Sequence, residues 1–214
     1  MDQSFVSVPL QLPYSTYGTL SEKTTDIWVV CHGYGQLAKH FIKRFDVFSP
    51  ETHFVIAPQG PSIFYMNQYS KVGASWLTRE YREEGVSNYL LYMDTVWAQY
   101  EEFIQDKEIN IHGLGFSQGV ATICRWAVHK QLPLKKLVMW AARYPNEWTS
   151  KDVDFMRETT EFVFVVGDKD EFVTEKLVDE EFKRIQDNLG ITPNLVRFEG
   201  GHVVTREVLQ SISG

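Results

Sequence analysis

Ser117 lies at the centre of Gly115-Phe116-Ser117-Gln118-Gly119, a G-x-S-x-G pattern with an apolar run before it and a helical pattern after it. Such a nucleophile elbow holds a serine on a strained strand-to-helix turn, and glycines two positions to either side let the strand and helix approach closely. A serine hydroxyl is a poor nucleophile near neutral pH. It needs a base within hydrogen-bond reach, and that base needs an anion to fix its tautomer and stabilise the imidazolium. His202, which follows Gly200 and Gly201 after a terminal apolar run, is the candidate base. Asp168, Asp170 and Glu171 compete for the acid in GDKDEFV, and spacing alone does not choose among them. The chain order serine, acid, histidine is the order that nucleophile-elbow folds use. Of the other histidines, His112 is expected to be a core residue inside a strand. His40, His53 and His129, in or beside helices, are expected to be surface groups.

The elements that must position these groups alternate along the chain. Residues 4–20, broken by Pro9 and Pro13, suit an edge hairpin. Apolar runs at 26–33, 52–58, 135–142, 161–168 and 194–201 read as strands, most of them buried on both faces, and INIHGLGF supplies the strand before Ser117. Helical periodicity marks 36–48, 86–107, the stretch after the elbow and 177–189, where Gly190 stops the helix; a short helix closes the chain. Between Gln59 and Gly85 the periodicity lapses into a long aromatic-rich connection, expected to fold over something. This pattern implies an α/β fold with a mostly parallel central sheet, helices on both faces and an antiparallel N-terminal edge. In such sheets functional groups collect where the strands finish.

Composition narrows the range of functions. The 214 residues, 43% hydrophobic, suit a single domain over 1–214. A formal charge of −7 argues against nucleic acid or anionic lipid as a partner and favours a small molecule. Cys31 and Cys124 read as small buried hydrophobes; residues 1–15 show no basic region followed by an apolar run and no uncharged stretch is long enough to span a bilayer, so neither export nor a membrane span is expected. A cytoplasmic location is expected.

Together, CHGYGQ at 31–36, APQGP and ASW in the long connection, GFSQG at 115–119, GDKDEFV at 167–173 and EGGH at 199–202 resemble the phospholipase/carboxylesterase family of α/β-hydrolases, which includes acyl-protein thioesterases. The resemblance runs from about Asp26 to His202. It implies a Ser117, Asp170, His202 triad, with Asp170 at the acid position of a G-x-x-D-x-x-V turn and Asp168 behind it. It also implies an oxyanion hole from the backbone N–H groups of Tyr34 and Gln118, with His32 and Gly33 shaping that loop. Three positions depart from the family pattern: Gln36 stands where an acid is common, Glu171 where a proline is usual, and no proline follows Val173. These leave the chemistry in place and loosen any transfer of specificity.

The expected activity is hydrolysis of short to medium carboxylic esters or thioesters through an acyl-serine intermediate, without metal or cofactor. Trp76, Phe116, Tyr144 and Trp148 are the candidate substrate lining, which would favour an apolar acyl or aromatic group. A peptidase or other hydrolase on the same fold, and a non-catalytic binding protein on a hydrolase scaffold, are the alternatives.

Overall fold

The computed structural model describes residues 3–213. Seven strands form one sheet: β1 (Tyr14–Tyr17), β2 (Asp26–Cys31), β3 (His53–Pro58), β6 (Asn110–Phe116), β7 (Lys136–Trp140), β8 (Glu161–Gly167) and β9 (Asn194–Phe198). Their spatial order is β1-β3-β2-β6-β7-β8-β9, parallel throughout except where β1 pairs antiparallel with β3. This is the expected α/β arrangement with an antiparallel N-terminal edge. β2, β7 and nearly all of β6 and β8 are buried along their length, which explains their unbroken apolar sequence. The helices are α1 (Ala38–Phe41), α2 (Arg82–Ile104), α3 (Gln118–Lys130), α4 (Glu175–Leu189) and α5 (Arg206–Ser211). They cover the sheet on both faces. Gly190 ends α4 at φ +67°.

Several local expectations need correction. The predicted hairpin over 4–20 is a single strand, β1, whose partner is β3 and not a neighbouring segment; Pro9 and Pro13 lie outside it. The helix predicted over 36–48 is one turn of α-helix followed by a 3-10 segment, Ile42–Val47, that still buries Phe41 and Phe45. α2 begins four residues earlier than its apolar stripe suggests. His53 opens β3 and does not flank a helix.

The 59–85 connection is not irregular throughout. It contains a separate antiparallel hairpin, β4 (Ser62–Met66) and β5 (Lys71–Ser75), turned through Asn67, Gln68 and Tyr69, all at positive φ. The hairpin is fastened to the loop after β2, where Gly35 N–H donates to Ala74 O at 2.8 Å and Ala74 N–H donates to Gln36 O at 3.2 Å. No helix among the described residues is long and apolar enough to cross a membrane.

Candidate active site

Parallel register brings the key loops together at one edge of the sheet. Cys31 pairs with Gly115 and Phe116 with Trp140, so the loop after β2 and the turn after β6 emerge side by side. Ser117 occupies that turn at φ +53°, ψ −120°, the first corner of a type II′ turn and a conformation that glycine favours. Such a backbone costs about 1–3 kcal/mol, and it persists where the surroundings over-determine it. Here the fixing contacts are identifiable. Ser117 N–H donates to Trp140 O at 2.8 Å, and Val120 N–H returns to Ser117 O at 3.0 Å. A Cβ on Gly115 would lie 2.4 Å from Val120 Cα, and one on Gly119 would lie 2.1 Å from Cys31 O. Glycine at 115 lets α3 sit this close to β6, and glycine at 119 lets it sit this close to β2.

The candidate acid and base, Asp170 and His202, follow adjacent strands, β8 and β9. Loops 167–170 and 198–201 are stitched together: Asp168 N–H donates to Phe198 O, Lys169 N–H donates to Gly200 O, and Asp168 Oδ1 accepts Gly200 N–H at 2.8 Å. Asp168 thus holds the loop, and Asp170 is left to face the histidine. Its Oδ2 lies 2.8 Å from His202 Nδ1, while its Oδ1 accepts the N–H groups of Phe172 at 2.8 Å and Val173 at 3.0 Å. The Asp170 carboxylate is fully buried. Glu171 is exposed. Trp140 Nε1–H donates to Val203 O at 3.0 Å, which pins the His202 loop across the end of β7. The imidazole then packs between Phe116, centroid 4.9 Å away, and Phe172, 4.8 Å away. His202 is therefore seated on the residue that precedes Ser117. The Ser117 hydroxyl itself has no hydrogen-bond partner among the described residues and opens onto a cleft.

His32 is buried beneath the neighbouring loop. Its Nδ1 lies 2.8 Å from Gly33 O, and its Nε2 accepts Gly60 N–H at 2.9 Å and faces Gln59 Nε2 at 3.2 Å. Burial holds its pKa down at about 4, so it is neutral at pH 7 and serves as a structural cross-link. Gln36, the departure from the family pattern, closes the same loop through Oε1, which accepts Gly33 N–H at 2.9 Å. Neither Tyr34 N–H nor Gln118 N–H is engaged by another group among the described residues. A Cβ on Gly33 would come within 3.3 Å of Ser117 Cβ, so the 32–35 loop borders the serine directly.

Sequence reasoning missed the side chain of Gln118. Its Nε2 donates to Ser75 Oγ at 2.9 Å and Leu77 O at 2.8 Å, and its Oε1 accepts Trp76 N–H at 3.0 Å. The elbow thereby clamps the end of the 59–85 connection. The aromatic lining expected from the sequence is not found. Trp76, Phe116, Tyr144 and Trp148 are all core residues, the most exposed at 4%. Trp76 Nε1–H donates to His32 O at 2.8 Å, and Tyr144 stacks under Arg184 and beside Trp148. The cleft at Ser117, about 470 Å3, is bordered instead by Leu77, Arg79, Arg82, Gln118, Arg125 and Arg143, among others.

The other polar clusters are structural. His112 Nε2 lies 2.8 Å from Asp26 Oδ1 at the opposite end of the sheet, and His129 Nε2 lies 3.0 Å from Asp94. His40 is exposed. Cys31 and Cys124 are free and buried. Among the described residues no group of three or more His, Cys, Asp or Glu side chains could hold a metal ion.

Comparison with known proteins places this geometry. No curated protein sequence matches the chain. Solved structures do: acyl-protein thioesterase 2 of Zea mays at 14% identity and TM-score 0.70, covering 94% of this chain and 96% of that one. A phospholipase/carboxylesterase from Dyadobacter fermentans aligns at 18% identity and TM-score 0.62, over 94% and 96%. The Bacillus cereus carboxylesterase aligns at 13% identity and TM-score 0.64, over 94% and 91%. At these identities the likeness is one of fold. The family match is independent of it and spans residues 19–214. With a mixed, mostly parallel sheet and an elbow at the end of its central strand, the chain belongs to the phospholipase/carboxylesterase family of α/β-hydrolases.

Proposed function

We propose that this protein is a serine hydrolase that cleaves carboxylic esters or thioesters through an acyl-serine intermediate. The observation that carries the reading is the Asp170–His202 hydrogen bond of 2.8 Å, seated on Phe116 directly before a strained Ser117. In the first step, His202 Nε2 takes the Ser117 proton as Oγ attacks the substrate carbonyl, and the Asp170 carboxylate stabilises the imidazolium. The substrate complex brings Oγ and Nε2 within hydrogen-bond reach, a tightening common to catalytic contacts that are loose in the free enzyme. Oxyanion charge is received by the N–H groups of Tyr34, in the loop after β2, and of Gln118, the first residue of α3. His202 then protonates the departing alcohol or thiol. Water, activated by the same imidazole, releases the acid and restores the serine. Serine, base and amide donors suffice for this chemistry, so neither metal nor cofactor enters the scheme. The enzyme acts as a single domain on a small molecule, in the cytoplasm.

The test is covalent labelling. A fluorophosphonate probe should add one mass equivalent to the wild-type protein and none to Ser117→Ala. Labelling that survives the substitution would overturn the assignment of the nucleophile. Turnover of amides in preference to esters would favour a peptidase.

A further inference from the structure

The chain as a whole is acidic, with 28 Asp and Glu against 21 Lys and Arg, yet four arginines and no carboxylate border the cleft at Ser117. Two of the four are already paired. Arg125 Nε lies 2.5 Å from Glu147, and Arg143 lies 3.1 Å from Glu180 and 3.8 Å from Glu181. The other two, Arg79 and Arg82, are exposed and have no carboxylate within 4 Å among the described residues; Arg82 shares the charge of Glu147 with Arg125 at longer range. Glu80, Glu83 and Glu84 are their neighbours in sequence but do not border the cleft. Arg82 is the first residue of α2 and Gln118 the first of α3, so two positive helix ends add to the same field.

Leu77, Ala121 and Ala142 give the cleft an apolar wall that an acyl chain can use, but they leave the guanidinium groups of Arg79 and Arg82 without a partner for their charge. Guanidinium is a planar fork of donors matched to carboxylate and phosphate oxygens. We infer that the cleft selects substrates bearing an anionic group beside the scissile ester or thioester, received by Arg79 and Arg82. The inference rests on the acyl-serine reading for the bond that is cut, and concerns only which molecules reach it.

Two substrates of equal length decide the matter: mono-4-nitrophenyl adipate, which carries a free carboxylate, and its methyl ester, which does not, each corrected for enzyme-free hydrolysis. The expected result is a kcat/KM about tenfold or more higher for the anion. The double variant Arg79→Gln, Arg82→Gln should bring the ratio close to one, chiefly through KM, and 1 M NaCl should reduce it in the wild type. A ratio at or below one, or a ratio unchanged in the double variant, would overturn the inference. Titration calorimetry with the Ser117→Ala protein separates this question from turnover. Monomethyl adipate should bind and dimethyl adipate should not, and equal behaviour of the two would count against the arginines whatever the chemistry proves to be. Inorganic phosphate titrated against monomethyl adipate in the same cell assigns the anion, phosphate or carboxylate, by whichever binds more tightly.

Discussion

Acid should loosen this protein through one buried imidazole, and the size of the effect follows from its contacts. In neutral His32, Nδ1–H donates to Gly33 O and the bare Nε2 accepts Gly60 N–H. Protonation would put a hydrogen on Nε2, facing an N–H donor, inside a site without solvent. Burial therefore lowers the pKa from 6.5 to about 4. Between those values the unfolded chain binds the proton that the folded chain refuses, so stability rises with pH across the window. The contribution is complete above pH 6.5, falls as pH drops toward 4, and is gone below that. Integrated from pH 7 to pH 5 with these two pKa values, the loss is about 2 kcal/mol. The assay is urea unfolding of wild type and His32→Asn at half-unit steps from pH 8 to pH 5. His112, also held low by burial, and the carboxylates are common to both proteins and cancel in the difference. Wild type should lose about 2 kcal/mol more than the variant over this range. Two parallel stability curves would refute the claim that His32 is held neutral by its surroundings.

Three further perturbations test the geometry. Gly119→Ala would set a methyl group 2.1 Å from Cys31 O, so it should cost about 3 kcal/mol or more by urea midpoint, or force α3 away from β2 and abolish turnover. Asp170→Asn preserves the size of the side chain but can turn its amide hydrogens toward His202 Nδ1 and favour the wrong tautomer. Steady-state kinetics should show kcat falling about a thousandfold or more with little change in KM. Glu181 is fully buried and accepts two hydrogen bonds from Arg184, at 2.7 and 2.9 Å, and one from Tyr144 N–H at 2.9 Å. Glu181→Gln leaves that guanidinium without its counter-charge and should lower stability by about 3 kcal/mol, read by thermal and urea unfolding.

What could be read from the sequence was whatever depends on local pattern. The runs that became β2, β6, β7 and β8 are apolar because both faces of the sheet are covered, and Gly115, Ser117 and Gly119 announced their turn by residue type alone. Asp170 could not be separated from Asp168 by spacing. The distinction arises because Asp168 is occupied by Gly200 N–H, a contact between two loops. The hairpin β4–β5 was missed because its half-exposed strands carry weak alternation and its turn, through Asn67, Gln68 and Tyr69, contains no glycine. The four aromatics assigned to the substrate were misplaced for a general reason. Large rings near a site are as useful for building its floor as for lining it, and burial decides between the two. Arg79, Arg82, Arg125 and Arg143 drew no attention along the chain because they lie on three segments that meet only in the folded protein.

The double duty of Gln118 has a consequence for how this protein can change. Its backbone follows Ser117 directly while its side chain grips Ser75–Leu77, so Ser117 and the wall carrying Arg79 and Arg82 share one mount. The hairpin belongs to the same assembly, because Ser75 ends β5 and Ala74 is tied to Gly35 and Gln36 beside Tyr34. A substitution at Gln118 would therefore move the cationic wall and the serine together.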